Sequence, residues 1–345
     1  MKRMILFSAT ALCFLQASAQ QDKNISAWYQ SQVLYNPAAV ATGAEDYSIF
    51  TNYRSQWLTV PEAGMRTNTL NAEFKIRDGA MGKNSFGVGL SAVNDQTGDA
   101  SLMTTSVSIP FNYTIALDRN NKFSVGLSPG FYQQSVNRGA QTWENEWNGI
   151  GFFSSPNTEV SLNSSYATID LGTGLYYQHT TRNKSTFYAG YALNHLTRQK
   201  IAFSFGGDKM YMNMVVQAGA DITTKRRDFH VQPSMIYFKT GPSYNFTAGV
   251  SFEHTIKEGS EITNINKSNN VTYGVYYRHN DAVVATVGMK VKAIKFGLAF
   301  DANYSKLSQA TSSVGAVEVY FKSLLYYKKI TTSLSSNGYK MNPYD

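Results

Sequence analysis

Five histidines, His179, His195, His230, His254 and His279, are the side chains in this sequence best suited to proton transfer or metal binding. They are scattered, one to a strand end or turn. None stands in an H-E-x-x-H, zinc-spaced or G-x-S-x-G pattern. Asp170 or Glu253 could meet a histidine in space, but with no nucleophile motif to serve they read as ordinary polar residues. The pairs Gly87-x-Gly89 and Gly172-x-Gly174 lie within strand-like segments, with no helix N-terminus after them to hold a phosphate. Glycines placed so relieve crowding and let a sheet curve. No catalytic, cofactor-binding or metal-binding residue is assigned, and the chain reads as a non-enzyme. What remains is charge: Arg54, Glu73, Lys75, Asp170, Arg278, Lys290, Lys292, Lys295 and Asp301 stand among apolar and aromatic neighbours. Their purpose depends on the elements that carry them.

The first residues fix the compartment. Lys2 and Arg3 precede a short apolar run, Ile5 to Leu15, and Ala17-Ser18-Ala19 is a small-residue cleavage site. This reads as a Sec leader cut after Ala19. The one cysteine, Cys13, lies inside it, so the exported part has no disulfide and no thiolate ligand. Charged residues are only 16% of the chain and aromatics 14%, with 23 Tyr and 20 Phe. The formal charge of +8 includes Lys2 and Arg3 and contains no basic run of the kind nucleic-acid binding needs. Beyond the leader no apolar run approaches a membrane helix. Two classes survive: a secreted all-β protein and a transmembrane barrel whose lumen-facing residues lower the average hydropathy.

Alternation separates them. Phe123, Val125 and Leu127 alternate with Ser124, Gly126 and Ser128. Tyr244 to Phe252 and Ile294 to Phe300 repeat the pattern, and period two marks strands with one apolar face. About fourteen such segments, one of them 101–117, run to roughly ten residues each, the length a tilted membrane strand needs. Strands of soluble sandwiches are usually shorter. The fold class expected is therefore all-β, an antiparallel transmembrane barrel with short periplasmic turns and longer outer loops. In its first strand Tyr53 and Trp57 face lipid, Trp57 at the outer aromatic girdle, while Arg54 and Gln56 face the lumen. The longest outer connection, 136–164, carries Trp143 and Trp147, which either form a docking patch or pack the loop on the rim. The turn Lys225-Arg226-Arg227 either meets a periplasmic partner or sits solvated near headgroups. The long inner connection 257–270 has no explanation in the pattern. Eight strands enclose a lumen that side chains fill and sixteen leave a channel, so about fourteen need a plug or a partner. The inward charges could select a solute, hold a plug by ion pairs, or line a wet lumen. The division expected is 1–19 leader, 20–46 periplasmic or lumen-plug segment, 47–327 barrel, and 328–345 periplasmic tail.

Asn36-Pro37-Ala38, then Tyr53-Arg54-Ser55-Gln56-Trp57, then Gly87-Val88-Gly89-Leu90-Ser91-Ala92-Val93-Asn94-Asp95 occur in that order after the leader. This resembles the N-terminal signature of the PorP/SprF family, outer-membrane components of type IX secretion in Bacteroidetes. The detailed likeness spans roughly residues 25–135. It makes Asn36, Pro37, Tyr53, Asn94 and Asp95 family-motif positions and Arg54, Gln56 and Trp57, with Trp143 and Trp147, candidate partner-binding residues. It implies an outer-membrane protein that docks an exported adhesin-like surface protein by its C-terminal domain and contacts periplasmic secretion subunits, in some relatives for gliding. A solute transporter or pore, and a soluble adhesin, are the other readings the residues allow.

Overall fold

The computed structural model describes residues 24–57, 64–77, 83–98, 102–137, 150, 165–200, 209–226, 228–257, 268–305 and 308–326. The strands are β1 (Tyr47–Gln56), β2 (Met65–Ile76), β3 (Ser85–Thr97), β4 (Leu102–Ser108), β5 (Phe111–Ala116), β6 (Asn121–Ser135), β7 (Ser165–Thr180) and β8 (Thr186–Asn194). They continue as β9 (Asn213–Thr223), β10 (Phe229–Thr240), β11 (Ser243–Lys257), β12 (Asn269–Arg278), β13 (Ala282–Val291), β14 (Ile294–Asn303) and β15 (Val314–Leu325). A single helical turn, α1 (Ser308–Thr311), precedes β15. All pairings are antiparallel. β1 also pairs with β15, from Tyr47 opposite Leu325 to Gln56 opposite Ala316, and this closes the sheet into a barrel.

β4 and β5 occupy one position between β3 and β6, so the closed barrel has 14 strand positions. The expected single strand 101–117 is broken at Ile109-Pro110 because proline has no N–H to give the ladder. Ile109 N–H to Pro129 O (2.9 Å) and Gly89 N–H to Pro110 O (2.8 Å) carry hydrogen bonding across the break.

The alternation sorts the faces. Tyr53, Leu70, Leu127, Tyr191, Leu298 and Val319 point outward and are exposed, each on a different strand. An apolar belt around a closed barrel is stable only against lipid. The apolar faces do not stack on one another, as a soluble sandwich would require. Inward positions on β1 (Ser48, Phe50, Asn52, Arg54) are buried. The start of β1, the end of β15 and the tight 292–293 turn lie at one end. The end of β6 and the start of β7, which flank the longest connection, lie at the other, which by the general architecture of such barrels is the outer end. The loop bearing Trp143 and Trp147, the leader, the tail and most of 257–270 fall outside the described residues.

Residues 24–46 run inside the barrel. They form three short 3-10 turns, Trp28–Gln30, Gln32–Leu34 and Pro37–Ala39. Ile25, Ala27, Trp28, Leu34 and Tyr35 are buried against inward side chains of six strands, among them Phe50, Val93, Val215, Phe238 and Tyr320. Tyr29 stacks on Tyr276 at 4.9 Å, and Tyr35 meets Phe238 at 5.0 Å.

Candidate functional site

The most organised polar site is a cage where this segment meets the closing strands. Arg54 (β1), Arg278 (last residue of β12), Asp301 (β14) and Glu318 (β15) are each at most 2% exposed. Two cations and two anions cancel, as a buried cluster must. Arg54 Nη2 donates to Asp301 Oδ2 at 2.9 Å, and Arg54 Nη1 donates to Glu318 Oε1. Arg278 Nη1 donates to Asp301 Oδ2 (2.7 Å) and to Asp281 Oδ2 (3.2 Å) in the outer turn. Ser26 sits at the centre. Its hydroxyl accepts from Arg54 Nη1 (2.7 Å) and Arg278 Nη2 (2.6 Å) and donates to Asp301 Oδ1 (2.6 Å), which uses its full capacity. The backbone N–H groups of Ser26 and Ala27 both donate to the Glu318 carboxylate, the second at 3.0 Å, and Asn52 Nδ2 adds a third donor at 3.1 Å. The lumen wall thus grips backbone as well as side chain.

A second contact lies lower. Asn36 is fully buried and caps the Pro37–Ala39 turn: its Oδ1 accepts from Ala38 N–H (2.9 Å), and its Nδ2 donates to Leu175 O (3.1 Å). Pro37 at the first turn position needs no N–H partner. The wall makes room with glycine. A Cβ on Gly174 would lie 2.0 Å from Asn36 Oδ1, and one on Gly126 would lie 2.5 Å from Ala38 N. Gly126 and Gly174 are therefore backbone clearance for the Asn-Pro-Ala turn, while Gly172 clears Asn194 on β8. Asn112 Nδ2 donates to Ala38 O (2.7 Å) and Val40 O (2.8 Å), and Glu73 accepts from Ala41 N–H (2.8 Å). At the inner end Glu45 pairs with Lys322 at 3.8 Å. Burial alone would raise the Glu45 pKa. The charges of Lys322, Lys75 and Lys295 and its backbone amide outweigh that and hold it below the ordinary carboxylate range.

The remaining sequence candidates are distributed. Arg54 points inward, and its partners here belong to its own chain. Tyr53 faces outward. Gln56 lines a cavity of about 310 Å³ at the outer end, together with Asn24, Asp95 and His195. Trp57 falls just beyond the strand, half-buried at φ 54°, rather than continuing the outward face of β1. Asp95 faces inward and accepts from Thr97 Oγ1 (3.1 Å) and Thr67 Oγ1, while Asn94 donates to Thr105 Oγ1 (2.9 Å) on the neighbouring strand. The histidines stay apart: His195 Nδ1 lies 2.8 Å from Asp170, His230 pairs with Asp221 at 2.8 Å, and His179 with Asn121 at 2.7 Å. Glu253 pairs with Lys295 at 3.6 Å. Lys292 lies exposed in the β13–β14 turn rather than in the lumen, because the hairpin is too tight to turn it inward. Glu318 and Ser26 escaped the sequence reading. Glu318 is the lone acid in an otherwise apolar stretch, Val317 to Phe321, and that was its available signal.

The family model for the type IX secretion system membrane protein PorP/SprF matches residues 17–322, most of the chain. The chain belongs to the PorP/SprF family. A PorP/SprF protein with this barrel is an outer-membrane component of type IX secretion. No curated protein sequence matches the chain. Among solved structures, the CymD monoaromatic hydrocarbon channel is similar at 10% identity, covering 86% of this chain and 93% of its own, with a TM-score of 0.47. The P. putida toluene transporter TodX gives 10%, 86%, 94% and 0.47. A Pseudomonas aeruginosa FadL homologue gives 10%, 85%, 94% and 0.48. At that identity and TM-score, no property of the PorP/SprF chain follows from these likenesses.

Proposed function

We propose that this protein is a non-enzymatic docking barrel whose lumen is plugged by its own residues 24–46. It holds an exported adhesin-like protein at the cell surface by that protein's C-terminal domain, and it contacts periplasmic secretion subunits from the inner end. The observation that carries this reading is the occupied lumen. The segment is buried, is bonded to the wall at the cage and at Asn36, and separates the outer cavity of about 310 Å³ from an inner one of about 390 Å³. A barrel so filled serves a solute poorly and leaves its rims as working surfaces. Gln56, Trp57 and the outer-loop pair Trp143 and Trp147 are the rim residues proposed to meet the exported protein, since aromatic side chains dominate interfaces. The inner cavity, lined by Lys75, Arg77, Lys83, Arg119 and Lys122, suits an acidic periplasmic surface.

The test is purification of the tagged barrel from native outer membranes in mild detergent, followed by mass spectrometry and planar-bilayer recording. Recovery of a large surface protein with periplasmic subunits, and no conductance, is the expected result. A lone barrel that conducts ions would replace this reading with that of a transporter or pore.

A further inference from the structure

Two strands measure the direction in which the internal segment runs. On β15, which descends from the outer end to the inner, Glu318 holds Ser26 and Ala27, Lys322 Nζ donates to Gln30 O (2.8 Å), and Leu325 O accepts from Asp46 N–H (3.0 Å). On β2, also descending, Asn71 Nδ2 donates to Ser31 Oγ (2.7 Å), Glu73 holds Ala41, and Lys75 donates to Gly43 O. Both sets are monotonic: earlier segment residues bind nearer the outer end. Glu318 to Leu325 spans about 23 Å of strand at roughly 3.3 Å per residue. That is most of the apolar belt, which stands ~25 Å tall.

The upper end is fixed independently. Ser26 is bonded to Arg278, which ends β12 and pairs with Asp281 in the outer turn. Asn24 lines the outer cavity beside Gln56, Met65 and Thr97, which are the residues of β1, β2 and β3 closest to that rim. Below Asn24 the lumen is filled by the segment itself, with Trp28, Tyr29 and Tyr35 packed across it.

We infer that residues 24–46 thread the barrel from its outer end to its inner end, so that Asn24 stands at the extracellular mouth and Asp46 at the periplasmic one. A barrel whose lumen segment simply folded up from the inner rim would place both ends of that segment at the inner end. Here the two ends are a membrane thickness apart. Asn24 and the cavity around it become part of the surface that an extracellular partner meets. This inference rests on barrel geometry and not on docking, so a failed co-purification leaves it standing.

The test inserts a short protease site between Lys23 and Asn24 of the full chain. Two control chains carry the same site in the 138–149 and 78–82 connections. Intact cells are treated with external protease, before and after the outer membrane is opened, and the fragments are read by mass spectrometry. Cleavage ahead of Asn24 and in 138–149 on intact cells, with 78–82 cut only after opening, is the expected result. Cleavage ahead of Asn24 only after opening, or in neither condition, overturns the inference. Cutting of 78–82 but not 138–149 on intact cells means the barrel lies the other way up, and overturns it too. If the insertion blocks assembly, Asn24→Cys in a Cys13→Ser chain takes its place. Labelling by an impermeant maleimide on intact cells supports threading; labelling only after opening, or none, refutes it.

Discussion

Replacing Arg54 with methionine tests whether the cage holds the segment in place. The parent cluster is neutral. Without Arg54, Asp301 keeps Arg278 and the Ser26 hydroxyl, but Glu318 loses the one cation bonded to it and keeps three N–H donors, from Ser26, Ala27 and Asn52. Breaking one side of a buried pair costs about 3–5 kcal/mol. The retained donors place Arg54→Met near the lower end, about 3 kcal/mol, since a hydrogen bond to a charged group contributes roughly 1.5–3 kcal/mol. That is on the order of a hundredfold rise in the population of the released segment, at about 1.4 kcal/mol per decade. Glu318→Gln in the same chain removes the stranded charge and should restore at least half of the loss, because deleting a whole buried pair is often close to neutral. Trp28, at 1% exposure, is the built-in reporter. With Trp57, Trp143 and Trp147 changed to Phe, acrylamide quenching of Trp28 in detergent-folded barrel should rise in Arg54→Met and fall back in the double variant. Equal quenching in parent and Arg54→Met, or a double variant as damaged as the sum of its singles, would refute the assignment of the cage as the anchor.

Gly174→Ala should lower the unfolding free energy by about 1–3 kcal/mol through overpacking on Asn36, and Asn36→Gly should relieve most of that cost; additive losses in urea titrations would refute the clearance argument. Leu298→Arg, on the lipid face of β14, should cost about 2–4 kcal/mol in folding into bilayers if the belt is membrane-embedded; a neutral result would contradict the outward assignment. The depressed pKa of Glu45 makes its stabilisation present above the ordinary carboxylate pKa and lost as pH falls through the lower folded value. Glu45→Gln should therefore be the less stable barrel at pH 7, by about 1 kcal/mol or less, and the gap should close once the pH has fallen below the folded pKa of Glu45. A gap between the two that persists at low pH would refute the Glu45–Lys322 pairing.

Much of the wall was legible in advance. Arg54 faces inward because its neighbours Tyr53 and Ser55 had to take the other face, and period two leaves no third choice. Pro110 was not legible as a break, because the alternation of polar and apolar residues resumes on both sides of it. Register was invisible: nothing in Val317-Glu318-Val319 says that Glu318 will stand opposite Arg54, a pairing set by closure across the whole chain. The internal segment was the least legible. Trp28, Leu34 and Tyr35 have neither helical nor strand period, because they pack on a curved wall that supplies the regularity they lack. The Asn-Pro-Ala turn could be recognised as a motif, but its fit to Gly126 and Gly174 joins residues about a hundred positions apart.

The seam between β1 and β15 has a consequence for manufacture. Arg54 and Glu318 come from the first strand and the last, so the cage lacks one of its four charges until the final strand arrives. The seam acts as a weld that completes the grip on the segment lying along the lumen. Once the weld is made, the thread can leave only lengthwise, past Asn36 and the aromatic packing, with no side door. Whatever frees the segment must therefore act along the barrel axis, from one mouth or the other.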